Sequence, residues 1–292
     1  MEKKILIIGA AGNICLEVIK TLSTKNVKII VGVRDPEKAC SMNLPEVEIR
    51  KFDYCDQQTY GQIFDGVDSW LLISPPSHLK IHNCVNDVID IAIKAGIKQV
   101  VNISAFGIQD DSHPMRIIEK HIEDSNLGYT FLRPNCFMQY FNTYFRAGIV
   151  EENVIKVPAG DSKTSFVDLR NVAEAASNLL LKDSLENKTF ILTGPRAFNC
   201  FEIAEIFTKL LNRKIEYMPI SEDDYRLLLK LDGWLDHSID ASIKMCQFVR
   251  QGWNAVVTNG IYNTTGSDPT TFEKYVNDYK EFWIEQVTET EQ

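Results

Sequence analysis

No Cys-x-x-Cys pair occurs in these 292 residues, although cysteine appears seven times, at positions 15, 40, 55, 84, 136, 200 and 246. So scattered and odd-numbered a set fits neither a disulfide framework nor a zinc-ligand pattern. It reads as the reduced, mostly buried thiols of a cytoplasmic protein. No apolar run approaches the roughly 20 residues that span a bilayer, and the chain does not open on an apolar stretch with a small-residue cleavage site. Neither a membrane anchor nor a signal peptide is expected. Lysine and arginine never gather into a run. With 31 of them against 40 acidic residues the formal net charge is −9, which argues against a nucleic-acid surface. Histidine is scarce, five in all. His78 and His82 stand one helical turn apart, but without a Cys or carboxylate pair beside them no metal site is expected. Gly- and Ser-rich linkers, low-complexity tracts and internal repeats are missing too.

What is present is core-forming sequence: 45% of residues are hydrophobic, enough for one large domain or one and a half. Short apolar runs at Ile5–Ile8, Val27–Val33, Val47–Phe52, Trp70–Ile73, Val100–Ile103 and Tyr129–Leu132 are bounded by Gly, Asp, Ser or Pro, as buried parallel strands should be. Helical stretches lie between them. Ile81, Val85, Val88, Ile89, Ala92 and Ile93 keep helical spacing, and Ala95-Gly96 ends that helix. Six alternating strand–helix units predict a doubly wound parallel (Rossmann) α/β sheet over residues 1–152, with ligand in the crevice at the carboxyl ends of the strands. Residues 165–195 return to it through a helix (Leu169–Leu181) and a strand (Lys188–Thr193). From 196 to 287 the texture is mostly helical and predicts a smaller, substrate-binding lobe, with helices over Glu202–Leu211, Asp223–Leu231, Ser238–Arg250 and Thr271–Gln286. Asn199 with Glu202 resembles a capping box, and Ser221 with Asp224 is a looser version. The polar tail, 288–292, is expected to fray.

The first strand runs straight into Gly9-Ala10-Ala11-Gly12-Asn13-Ile14-Cys15. Glycines there allow a tight turn and close backbone approach, and the next helix offers free N–H groups and a positive dipole end to an anion. Gly9, Ala11, Gly12, Asn13 and Ile14 are therefore candidates to hold a dinucleotide pyrophosphate. Cys15 replaces the usual third glycine, a position that serves helix-to-sheet packing.

Further landmarks carry a resemblance over nearly the whole chain: Val33-Arg34-Asp35-Pro36, Phe52-Asp53, Ile73-Ser74-Pro75-Pro76, Ser104-Ala105-Phe106-Gly107, Tyr129-Thr130-Phe131-Leu132-Arg133-Pro134, Phe137-Met138-Gln139, Phe166-Val167-Asp168, Leu192-Thr193-Gly194-Pro195 and Asp268-Pro269-Thr270-Thr271-Phe272. In this order they resemble the NmrA-like branch of the atypical short-chain dehydrogenase/reductases. Within it they are most similar to ergot-alkaloid imine reductases of the festuclavine or agroclavine dehydrogenase type, and more distantly to triphenylmethane and NADPH-quinone reductases. The resemblance implies a monomer or homodimer that binds NAD(P)H and acts on a small molecule.

Arg34 ends the second strand, with Lys38 close behind. A cation there suits the 2′-phosphate of NADP, whereas an acidic residue would suit the ribose hydroxyls of NAD, so NADP(H) is expected over NAD(H). The alternative is a solvated strand-end arginine. Asp53 and Tyr54 are placed for the adenine, Ser74 and Pro75 for the bridging phosphates and ribose. Ser104, Ala105, Phe106, Pro134, Asn135 and Phe137 are placed for the nicotinamide. Phe106, Phe137, Tyr140, Tyr144 and Trp234 are candidates to face substrate, with plain core packing as the alternative. His237, Met245, Phe248 and Trp253 are similarly either pocket lining or core.

The usual proton relay of the larger superfamily, Tyr-x-x-x-Lys, is missing where it belongs: the region reads His113-Pro114-Met115-Arg116-Ile117-Ile118-Glu119-Lys120. Three functions remain open. A hydride acceptor that needs little proton donation, such as an iminium or a cationic dye carbon, would need mainly orientation; imines, quinones and related conjugated acceptors are the substrate class expected. Ser104 would then stand at the reacting centre, and Glu119, Asp110 or Asp111 would stabilise a cation, unless they are merely solvated. A protein without turnover would instead sense the NADP/NADPH ratio. A carbonyl reductase would use His113 or water as acid, and His113 is otherwise a helix-start residue.

Overall fold

The computed structural model describes residues 2–8, 12–40, 44, 46–73, 81–108 and 110–284. Its strands are β1 (Lys3–Ile8), β2 (Val27–Val33), β3 (Val47–Lys51), β4 (Ser69–Ile73), β5 (Gln99–Ile103), β6 (Gly128–Pro134), β7 (Val154–Lys156), β8 (Lys188–Leu192) and β9 (Glu216–Met218). The helices are α1 (Asn13–Leu22), α2 (Pro36–Cys40), α3 (Ile81–Lys94), α4 (Pro114–Glu123), α5 (Leu169–Leu180), α6 (Cys200–Leu211), α7 (Glu222–Leu231), α8 (Asp236–Arg250), α9 (Gly260–Thr265) and α10 (Phe272–Asp278). The chain divides into two compact units.

In the first unit seven strands form one all-parallel sheet in the order β3-β2-β1-β4-β5-β6-β8. The near-continuous apolar runs hold the middle, where helices cover both faces, and β5 is buried along its whole length. The more polar β3 and β8 take the edges, exposing Lys51, Lys188 and Thr189. Gly32 in β2 has a steric reason: a Cβ there would come within 3.2 Å of Ile8 and 3.3 Å of Phe52 and Ile63. α1 buries Cys15, Val18, Ile19 and Leu22, a stripe at helical spacing. It lies against α5, whose Ala173, Ala175, Ala176 and Ser177 let a neighbour come close. α3 stops at Gly96, whose φ of +86° lets the Ile97 N–H return to the Ala92 carbonyl at 3.0 Å.

The strand order reverses between β1 and β4. In open parallel sheets ligands bind at such a switch point, outside the carboxyl ends of the strands. At the opposite, amino ends the sheet is stapled by polar contacts: the Gln99 amide donates to Ser69 Oγ and to the Lys182 carbonyl, both at 2.8 Å.

The second unit comprises Asn135–Asp168, Thr193–Thr258 and the segment from Asp268. Its core is aromatic: Phe141 meets Phe166, Phe207 and Phe272 at ring separations of 5.2, 5.8 and 5.1 Å. The capping box forms at α6, with Asn199 and Glu202 exchanging both hydrogen bonds. Ser221 caps α7 by accepting from the Asp224 N–H. Two elements had no sequence signal, the short parallel pair β7–β9.

The boundaries differ from the sequence reading. The chain leaves the first unit at Pro134, not at 152, and returns over Leu169–Leu192 and again over Asn259–Ser267. The backbone after β6 bonds within the second unit: Val167 donates to Cys136 and Met138 to Val167, each at 2.9 Å. Phe137-Met138-Gln139 and Phe166-Val167-Asp168 are thus two sides of one joint, closed by Gln139 donating to the buried Asp168 at 3.0 Å. Gly194 lies so close that a Cβ would stand 2.1 Å from the Phe166 carbonyl oxygen. α9 goes back to the first unit because Gly260 abuts the Ile191 carbonyl, where a Cβ would be 2.0 Å away. The helix expected over Thr271–Gln286 ends at Asp278, and a 3-10 turn over Lys280–Trp283 tucks the Trp283 ring 5.0 Å from Phe207. The tail, 288–292, lies outside the described residues.

Candidate functional site

In the first unit the candidate residues gather at the carboxyl ends of the strands. Gly9 and Ala11 lie outside the described residues, as do Ser74 and Pro75. Gly12 is the N-cap of α1, with φ −91° and ψ 155°, and no side chain caps the helix. A Cβ at Gly12 would meet nothing within 4 Å. First-turn N–H groups without a side-chain cap are donors of the kind that hold an anion at a helix N-terminus. Asn13 is exposed and Ile14 half-buried. Cys15 is buried, as helix packing requires, and burial pushes its thiol up to about 12.

Arg34 is exposed at the end of β2 and makes no ion pair among the described residues. Its neighbour Asp35 is committed: the carboxylate accepts from the Lys38 N–H at 3.0 Å and caps α2. The strand end thus presents a free guanidinium. Asp53 half-buries its carboxylate in a turn, accepting from the Cys55 N–H at 2.9 Å. Tyr54 is buried, its ring packed edge-on against Phe52 at 5.0 Å within the core, which suits the packing of β3 more than an exposed adenine contact.

β5 supplies the most informative polar groups. Asn102 and Ser104 alternate by two along the strand and its exit. Both are buried, with 2% and 6% exposure, and Asn102 Oδ1 and Ser104 Oγ have no hydrogen-bond partner among the described residues. Buried oxygens left without partners cost about 1–3 kcal/mol each, and such exceptions call for a ligand or water. Sequence reasoning singled out Ser104 but missed Asn102, whose signal was a carboxamide inside an otherwise apolar strand core. The turns after β5 and β6 are tied together: Ser104 N–H donates to Leu132 at 2.8 Å and Phe106 N–H to Pro134 at 3.0 Å. Ala105 and Phe106 are half-buried and Pro134 is buried.

α4 carries an ion-pair network. Glu119 is not a solvated carboxylate; it is fully buried. Arg133 donates to it through both Nε, at 2.9 Å, and Nη2, and Arg116 donates at 3.1 Å. Arg116 also grips Glu123 bidentately at 2.9 and 2.8 Å, while Lys120 pairs with Asp111. Both Glu119 oxygens are thus neutralised by arginine. Asp110 is engaged too, accepting from Ser112 N–H and Oγ at 2.8 Å. His113 caps α4, its Nδ1 accepting from the Met115 N–H at 3.2 Å, and Pro114 follows at the first helical position.

In the second unit Asn135 is fully committed. Its amide donates to Ser165 Oγ at 2.8 Å and to the Asn254 carbonyl at 2.9 Å. Its oxygen accepts from Asn254 at 2.8 Å and from the Cys136 N–H at 2.9 Å. Phe137, Tyr140, Tyr144 and Trp234 form a continuous series of ring contacts at 6.2, 5.4 and 4.7 Å. Tyr144 is 53% exposed, so the series reaches solvent. His237, Met245 and Trp253 are exposed and belong to neither core nor enclosed pocket, while Phe248 stacks on Trp253 at 5.4 Å.

A cavity of about 220 Å³ lined by Thr130, Lys182, Glu186 and Lys188 lies toward the amino ends of β6 and β8, away from these groups. Among the described residues no three His, Cys, Asp or Glu side chains converge on a metal position, and no helix is long and apolar enough to cross a membrane.

A doubly wound parallel sheet with an uncapped glycine turn after its first strand defines the Rossmann class of α/β proteins. Residues 1–282 match the NmrA-like family, and the chain belongs to it. It is 28% identical to agroclavine dehydrogenase of Claviceps fusiformis over 292 aligned residues, covering 96% of this chain and 98% of that one. It is 26% identical to prestalk A differentiation protein A of Dictyostelium discoideum, covering 95% and 92%. The structure superposes on the NADPH-dependent quinone oxidoreductase QOR2 of Escherichia coli, solved with NADPH, with a TM-score of 0.84, 25% identity and coverage of 94% and 99%.

Proposed function

We propose that this protein is a cytoplasmic NADPH-dependent oxidoreductase that passes hydride to a small conjugated acceptor, such as an imine or iminium, a quinone or an azo compound. The observation that carries this reading is Arg34, exposed at the end of β2 with no ion pair among the described residues, together with an α1 that starts at Gly12 without a side-chain cap. Two of the relatives named above support it, being a dehydrogenase and a quinone oxidoreductase, and another, 26% identical over 279 residues, is the NAD(P)H azoreductase of Xenophilus azovorans.

The residues fit the cofactor. The α1 N–H groups that follow Gly12 take the pyrophosphate. Arg34, with Lys38, pairs with the 2′-phosphate, which a guanidinium grips bidentately. Asn102 and Ser104 give their unpartnered oxygens to ribose or carboxamide groups of the bound dinucleotide. When bound, NADPH supplies the hydride. Phe137, Tyr140, Tyr144 and Trp234 offer flat apolar faces that suit a planar acceptor, and their π-faces attract a cationic one. An iminium carbon becomes a neutral amine on reduction with no proton delivered to it. The lack of a tyrosine–lysine relay on α4 is consistent with such a substrate. Glu119 stabilises α4 against β6 in this reading rather than a substrate cation. His113 has a structural use as well, its Nδ1 accepting the Met115 N–H at the start of α4.

One observation favours a second reading, an NADP(H)-responsive regulator without turnover: the relative from Dictyostelium is named for differentiation, not for a reaction. NADPH oxidation with a panel of cyclic imines, quinones, azo dyes and triarylmethane dyes separates the two. Steady oxidation with at least one class is expected. Tight NADPH binding with no oxidation across the panel would select the regulator.

A further inference from the structure

Cys55 and Cys84 lie 29 residues apart in sequence, yet their sulfurs are 3.5 Å apart, within the first unit. Cys55 is exposed, in the turn between β3 and the 3-10 turn Gln57–Thr59; Cys84 is half-buried in the first turns of α3. The other thiols differ in kind. Cys15, Cys200 and Cys246 are buried, Cys136 contacts Asn254, and the exposed Cys40 has no sulfur neighbour among the described residues. We propose that Cys55 and Cys84 are a reversible dithiol–disulfide pair oxidised by hydroperoxides.

The two sulfurs need to approach by roughly 1.5 Å to reach bonding distance, a movement that the irregular turn carrying Cys55 can supply. Cys55, being accessible, reacts first. Its thiolate attacks one peroxide oxygen; an S–O bond forms, the O–O bond breaks, and the alcohol or water leaves. Cys55 sulfur loses two electrons to the peroxide and becomes a sulfenic acid. Cys84 sulfur then attacks it, the S–S bond forms, the S–O bond breaks, and the departing hydroxide takes the remaining thiol proton as water. In total, two thiols and one hydroperoxide give one disulfide, one alcohol (or water) and one water. An external dithiol reverses it by exchange. Burial and the proximity of Cys55 and Asp87 raise the Cys84 thiol, which suits the resolving role better than the attacking one. The bridge would tie the turn after β3 to α3, on the same sheet whose strand ends carry Asp53 and Ser104.

The test uses the full chain, treated with a slight molar excess of hydrogen peroxide, blocked with N-ethylmaleimide and mapped by mass spectrometry without reduction. The expected result is a Cys55–Cys84 linked peptide, loss of two hydrogens, and maleimide labelling of both residues reduced to below about a tenth. Labelling should return with dithiothreitol, with Cys40 labelling unchanged throughout. In C84S, Cys55 should accumulate as a sulfenic acid trapped by dimedone, and in C55S, Cys84 should stay reduced. The proposal is overturned if the wild-type chain yields no such link while Cys55 is oxidised, or if both thiols stay fully labelled.

Discussion

Two sets of buried polar side chains stand in opposite conditions. In the second unit Asn135, Ser165 and Asn254 use their donors and acceptors on one another and on the nearby backbone. In the first unit Asn102 Oδ1 and Ser104 Oγ are also buried and have no partner among the described residues. A saturated network holds its own backbone together and leaves nothing for a ligand. An unsaturated pair at the carboxyl end of a central strand is destabilising on its own and implies that something else completes it. Between these two sets the difference is neither burial nor polarity but whether partners are in place.

Glu119 tests the saturated side most severely. Its buried carboxylate holds Arg133 and Arg116, and Glu119→Gln should cost about 3 kcal/mol, because a broken buried pair leaves charge uncompensated. Urea unfolding would show it, and a loss below about 1 kcal/mol would mean that the pair behaves as a surface one. Asn135→Ala should cost about 2 kcal/mol, since the Asn254 amide is left facing no oxygen. NADPH affinity, referred to folded protein, should change little. A selective loss of affinity would restore Asn135 to the cofactor contacts that the sequence suggested. Ser104→Ala is the smallest in stability, within about 0.5 kcal/mol of the parent, because it deletes a hydroxyl that has no partner. Its NADPH affinity should nonetheless fall by roughly fivefold, about the value of one hydrogen bond. An unchanged affinity would leave the orphan oxygen without a purpose.

The strands and their parallel arrangement were legible because they depend on local pattern: apolar runs of strand length bounded by turn residues. Side-chain direction was not. Strands buried on both faces lack the alternation that would show where Asn102 points, and nothing near Tyr54 announced that it turns inward to Phe52. Glu119 shows a related limit. Arg116, three residues earlier, is a partner any helix surface offers, but Arg133 comes from β6, and only the fold brings it to the carboxylate. The motifs at Phe137-Met138-Gln139 and Phe166-Val167-Asp168 marked the resemblance well. Their pairing across one joint became visible only in three dimensions.

The central claim is that the uncapped α1 N-terminus and Arg34 hold a 2′-phosphorylated dinucleotide. Calorimetric titration of the wild-type chain and of Arg34→Ala, each with NADPH and with NADH, tests it most directly. Wild-type protein should bind NADPH at least about tenfold more tightly than NADH, and Arg34→Ala should remove most of that difference by weakening NADPH alone, as loss of a charge-assisted phosphate contact requires. No heat with either nucleotide, or an Arg34→Ala protein that keeps the full preference, would contradict it.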